Sequence, residues 1–124
     1  MTIQECYQQL SGDYAQAATR LPSVSLVTRF IGKFLDDGSY AELRRAMAEG
    51  RRADAFRAAH TLKGVCGNLS FDRLLASTAT LTALLRPESD TIPAGADALL
   101  AQVEQDYAVT TGAIRAYLSQ STGK

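Results

Sequence analysis

His60 is the only histidine in this 124-residue chain, and it lies in a segment that the spacing of apolar residues predicts to be helical. With about 100° of turn per residue, Ala55, Ala59 and Leu62 share one face, which a core would cover. His60 lies roughly 140° from Ala55 and is therefore predicted to face solvent. The pKa of an unperturbed histidine side chain is about 6.5, so an exposed imidazole offers a neutral nucleophilic nitrogen at neutral pH.

Two glycines and a lysine surround His60 on the predicted helix surface. Gly64 and Gly67 follow it by four and seven residues, although a glycine inside a helix costs about 1 kcal/mol relative to alanine. Their bare backbone lets a partner surface approach closely. Close contact between helices of the chain itself is the alternative explanation, mainly for Gly67. Lys63 lies three residues after His60, so the group predicts an anion placed on the ring.

Two further side chains border this surface. Arg57 lies one turn before His60, where it either contacts a partner or is simply solvated. Phe56 is either a residue at the edge of the core or a half-exposed aromatic anchor for docking. Both are therefore candidates for a partner-facing role.

The segment His60–Gly64, of sequence HTLKG, is followed by Gly67-Asn68-Leu69. Together they resemble the histidine-containing phosphotransfer (HPt) domain of bacterial multistep phosphorelays. The preceding segment Ala55–Ala59 is also similar to that family. The resemblance extends over about residues 5 to 118.

The resemblance implies a function for His60. The ring would accept a phosphoryl group from a phospho-aspartate on a response-regulator receiver domain and pass it to another receiver. Lys63 would steady that group. The implied partners are receiver domains and a hybrid histidine kinase, and the receiver would bring the acidic residues and the metal. The chain shows no nucleotide-binding glycine loop, so we expect a phosphoryl carrier without cofactor or metal, and not an enzyme.

Two residues depart from the family pattern. Ser70 stands where many members have glycine, directly after the Gly-Asn-Leu run. Thr82 falls where several members carry an amide or carboxylate that orients the histidine ring. If threonine takes that role here, it does so with a shorter side chain.

Two other classes of function remain open. The first is a phosphorylation-independent helical adaptor that binds receiver domains through the same face. The second is a small histidine-dependent hydrolase or transferase, which would need a further catalytic group that the sequence does not reveal.

The composition restricts the partners and the compartment. The chain has 13 Lys and Arg against 13 Asp and Glu, which argues against a general nucleic-acid binder and against a polybasic membrane anchor. No apolar run approaches the roughly 20 residues of a transmembrane helix, and Met1–Leu10 does not resemble a secretory signal. We therefore expect a cytoplasmic protein with Cys6 and Cys66 as free buried thiols. The Met1 start and the lack of any kinase sequence favour a free-standing protein over a domain cut from a larger kinase. A monomer is the default expectation for a helical carrier with one exposed working face.

The periodicity of the whole chain predicts an all-α protein with one domain over residues 1–124. It would be an up-and-down antiparallel four-helix bundle with a short additional N-terminal helix. The first half of the chain is expected to contain a helical lead-in over Met1–Arg20 with Asp13 as an N-cap, a helix from Ser23 to about Asp36–Gly38, and a helix that Ser39 caps in a capping box. The His60 helix is expected from about Arg52, and the next helix from Phe71-Asp72. A loop over Pro87–Pro93, a last helix over Ala94–Leu118 and a frayed tail over Ser119–Lys124 are expected to follow.

Overall fold

The structure is a computed structural model that describes residues 1–122. It contains helices and no strands within that range, which confirms the predicted all-α class and the helical bundle. The N-terminal addition consists of two short helices. The helices are α1 (Ile3–Gln9), α2 (Tyr14–Arg20), α3 (Val24–Phe34), α4 (Ser39–Ala48), α5 (Arg52–Leu69), α6 (Asp72–Leu84) and α7 (Ala96–Thr122).

The helix that carries His60, α5, lies at the centre of the packing. It packs against α4 and α6, its neighbours along the chain, and short connections make these neighbours antiparallel. The long helix α7 packs against α6, and α3 contacts both α5 and α7. The core between them contains large buried side chains from several helices, among them Tyr7, Ile31, Leu43, Leu62, Phe71 and Ile114.

Polar side chains fix several helix starts. The Asp13 carboxylate accepts the backbone N–H of Gln16, which confirms Asp13 as the N-cap of α2. The capping box expected at Ser39 is not formed, because α4 begins one residue earlier than that motif requires. Gly38 occupies the N-cap position without a side-chain cap, and the Ser39 N–H donates to the Asp37 carboxylate at 2.9 Å.

The end of α6 is held by an arginine from α5. The guanidinium of the buried Arg52 donates to the carbonyls of Leu84 at 3.3 Å and of Arg86 at 2.6 Å. It also donates to the Thr91 carbonyl at 2.8 Å and to the Ser89 hydroxyl at 3.1 Å. One side chain therefore supplies donors to the last carbonyls of α6 and to the loop that follows.

The last helix differs from its predicted limits. Gly95 adopts a φ of +91°, so the chain turns there and α7 begins at Ala96 and not at Ala94. The helix also continues past Leu118 to Thr122. The predicted frayed tail is thus helical over its first residues, and residues 123–124 lie outside the described part.

Both cysteines are buried and free, as predicted. Burial raises the pKa of the Cys6 thiol to about 11 and that of the Cys66 thiol to about 12, so both remain protonated at neutral pH. Over residues 1–122, no helix is long and apolar enough to cross a membrane.

Candidate functional site

The exposure of His60 follows from the way α5 divides its two faces. Ala55, Ala59 and Leu62 are fully buried, together with Cys66, and anchor the apolar face to the core. His60 lies on the other side and is exposed, as the helical spacing predicts. Because α5 is packed between α4 and α6, the imidazole is presented from a rigid element.

A phenyl ring lies alongside the imidazole. The Phe56 and His60 rings are stacked, with centroids 6.0 Å apart and planes inclined by 16°. Phe56 is half-buried and packs against the core. Within residues 1–122 no hydrogen bond reaches the imidazole, so this stack is the ring contact that the structure shows. The spacing of four residues was visible in the sequence, but it did not reveal that the two planes lie nearly parallel.

Thr82 does not make the contact to the histidine that the family resemblance suggested. It is buried, and its hydroxyl donates to the Thr78 carbonyl of its own helix at 2.7 Å. A threonine side chain is short and commonly bonds to the carbonyl one turn earlier. Ring orientation by Thr82 is therefore not supported by the geometry.

Two cationic side chains lie near His60, and only one of them is in an ion pair. The Arg57 guanidinium forms an ion pair with the Asp54 carboxylate, which also pairs with Arg51. The hydrogen bond from Arg51 lowers the pKa of the Asp54 carboxyl, so this carboxylate is ionised at neutral pH. Lys63 is half-exposed and has no ion-pair partner among the described residues. Asp54 was not among the residues predicted for this surface, although its spacing of three residues from Arg57 is typical of an ion pair on a helix.

The two glycines of α5 face open space. A Cβ added to either Gly64 or Gly67 would meet no described atom within 4 Å beyond the helix itself and its immediate neighbours. Packing between helices of the described chain therefore does not require them, which removes the alternative explanation of Gly67. The helix surface after His60 is bare for about two turns.

The end of α5 is tied to the N-terminal helices. Ser70 has a left-handed backbone, with φ at 56°, which accounts for glycine at this position in many family members. Its hydroxyl accepts from Arg20 at 3.1 Å and its carbonyl accepts the Asp13 N–H at 2.9 Å. Arg20 also donates to the Asn68 carbonyl at 3.3 Å. No local signal in the sequence pointed to Arg20.

An apolar groove of about 360 Å³ borders the second half of α5. Phe30 on its rim is 39 % exposed. Polar side chains, including Lys33 and Arg20, edge it. The groove's other lining residues are Leu21, Phe34, Asp37, Val65, Asn68 and Leu69.

Within the described range, no cluster of three or more His, Cys, Asp or Glu is arranged to hold a metal ion.

A family model for the Hpt domain matches residues 29–120. The match includes His60, Lys63 and both glycines of α5 and leaves out α1 and α2, so it begins later than the resemblance seen in the sequence. No curated protein and no solved structure gives a significant match. The match spans well over half of the chain, and the protein therefore belongs to the Hpt domain family of phosphorelay phosphotransfer carriers.

Proposed function

We propose that His60 is the phosphoryl acceptor of this domain. In this proposal the chain takes the group from the phospho-aspartate of a response-regulator receiver and passes it to another receiver. The observation that carries the proposal is an exposed imidazole on a rigid helix, with an unpaired cation one turn away and two bare glycines beyond it. The match of the Hpt family over this helix supports it.

The transfer exchanges one bond for another. A neutral ring nitrogen of His60 attacks the phosphorus, the N–P bond forms, and the P–O bond to the aspartate carboxylate breaks. The carboxylate leaves with the bonding electrons, and the ring acquires positive charge. Such a transfer depends mainly on positioning and on charge stabilisation. Lys63 supplies a cation for the phosphoryl oxygens.

The partner completes the site. The receiver brings its own acidic residues and the magnesium ion, and this chain acts as a carrier between receivers, one of them on a hybrid histidine kinase. Gly64, Gly67, Arg57 and Phe56 form the surrounding surface that faces the receiver. The groove along the second half of α5 accepts apolar side chains of the partner. We place this exchange in the bacterial cytoplasm, with the chain as a monomer.

A transfer assay with matched variants tests the proposal. A magnesium-loaded receiver, labelled on its aspartate, is mixed with the wild type and with His60→Gln, which keeps a polar side chain of similar length. We expect an acid-labile label on the wild type and none on His60→Gln, with equal receiver binding by both. Receiver binding by both forms without label on either would contradict the proposal and favour the helical adaptor.

A further inference from the structure

The His60 ring needs a fixed plane for the proposed transfer, and the structure shows one contact that can supply it. The lone pair of an imidazole nitrogen lies in the plane of the ring. Attack along the line of the breaking P–O bond therefore requires that this plane point at the phosphorus. The second side-chain torsion of histidine is broad, so an exposed ring without a partner rotates away from that direction.

Hydrogen bonds do not provide this restraint in the described residues. The Thr82 hydroxyl donates to the Thr78 carbonyl of its own helix and makes no hydrogen bond to His60. Arg57 is engaged by Asp54. The Phe56 ring, in contrast, lies nearly parallel to the imidazole with its centroid at 6.0 Å, within the usual range for aromatic pairs.

Phe56 is itself well held. It is half-buried, belongs to the same rigid helix as His60 and packs against the core of the bundle. Its ring can therefore restrain its neighbour and does not simply follow it.

We propose that Phe56 is a positioning residue for His60, and that its ring fixes the imidazole plane for phosphoryl transfer. This inference rests on the proposed function of His60. The imidazole remains exposed beside the phenyl ring, and within residues 1–122 no hydrogen bond occupies its nitrogens, so they stay available to the partner.

Two variants separate the ring from its bulk. Phe56→Leu keeps an apolar side chain but removes the aromatic face, and Phe56→Tyr keeps the face. Single-turnover transfer is measured over a range of phospho-receiver concentrations. We expect Phe56→Leu to lower the maximal rate about fivefold, in line with the energy of an aromatic pair, without changing the half-saturating concentration. Phe56→Tyr should retain the wild-type rate.

The same measurement distinguishes positioning from docking. If Phe56 served as a docking contact, Phe56→Leu would raise the half-saturating concentration and leave the maximal rate intact, which would overturn the inference. Val109→Ala, which trims an exposed apolar side chain on α7 that does not line the groove, is the control and should leave the maximal rate unchanged. Thermal unfolding of each variant confirms that the folded protein is being compared.

A spectroscopic measurement tests the stack without any transfer. Because the chain has one histidine, its ring protons give unique NMR signals. The phenyl ring current should displace them in the wild type and in Phe56→Tyr, and the displacement should vanish in Phe56→Leu. An unlabelled wild type would overturn the proposed function and this inference with it. A labelled wild type and an equally fast Phe56→Leu would overturn the inference alone.

Discussion

The two cations beside His60 differ in what they can offer a phosphoryl group. The Arg57 guanidinium is already paired with the Asp54 carboxylate, and moving it toward the ring would break that pair. Lys63 has no ion-pair partner among the described residues and lies one turn after His60. A cation without a competing carboxylate gives more to an incoming anion. Lys63 is therefore the side chain expected to contact the phosphoryl group.

Replacing Lys63 by methionine removes the charge and keeps the length of the side chain. We expect Lys63→Met to lower the transfer rate about tenfold at saturating receiver, because a hydrogen bond to a charged group contributes about 1.5 kcal/mol. Lys63→Arg should retain most of the rate, since it keeps a donor cation. Quench-flow measurement of the label on His60 gives both rates. Equal rates for Lys63→Met and the wild type at low ionic strength would refute this role.

For single residues, the sequence predicted which side chains share a surface but not how those side chains are oriented. Helical spacing was enough to place His60 in solvent and Cys66 in the core. The Phe56 stack and the hydrogen bond of Thr82 to its own helix depend on side-chain torsions, and each torsion has several staggered energy minima. Only the packed structure selects among those minima.

The glycines of α5 lower the stability of the helix but leave its surface open to a partner. A Cβ at Gly64 would meet no described atom within 4 Å, so alanine would fit there without strain. Alanine also favours the helix, by about 0.5–1 kcal/mol over glycine. We expect Gly64→Ala to raise the free energy of unfolding by about that amount in urea denaturation. We also expect it to slow transfer from the receiver, because the added methyl group separates the two surfaces.

A third glycine provides the matched control for that prediction. Gly112 lies exposed on α7, and a Cβ there would also face open space in the described structure. Gly112→Ala should stabilise the fold to a similar extent and leave transfer unchanged. Equal transfer rates for Gly64→Ala and Gly112→Ala would show that the bare surface after His60 is not needed.

The helices themselves were more predictable than the contacts between them. Asp13 was identified as an N-cap from its position alone, because capping is a local interaction. The N-cap of α4 was predicted at Ser39, one residue too late, because a capping-box pattern does not exclude that the preceding Gly38 occupies the N-cap position. Arg52 was noted only as a helix start. Its hydrogen bonds to Leu84 and Arg86 depend on distant segments that only the fold brings together.

For the whole molecule, the N-terminal segment is joined to the far end of the His60 helix although it lies outside the Hpt match. The Tyr7 hydroxyl donates to the Leu69 carbonyl at 2.8 Å, and the Arg73 N–H donates to the Ser11 carbonyl at 3.2 Å. The Tyr7 bond, the bond from Arg20 to the Asn68 carbonyl and the bond from the Asp13 N–H to the Ser70 carbonyl satisfy carbonyls at the end of α5 that its own helix leaves free. The segment is therefore expected to fold with the bundle as one unit.

Gly12 is the point where this junction is tightest, and it supplies the test. A Cβ at Gly12 would lie 2.6 Å from the Ser70 carbonyl oxygen and 2.7 Å from Leu10 Cδ1. Because the Ser70 carbonyl belongs to the backbone and cannot move aside without strain, we expect Gly12→Ala to lower the free energy of unfolding in urea by about 1–3 kcal/mol. The same chemical change at Gly112 should be stabilising, so the two variants shift the midpoint in opposite directions. A Gly12→Ala midpoint equal to the wild type would mean that residues before α3 fold independently of the end of α5.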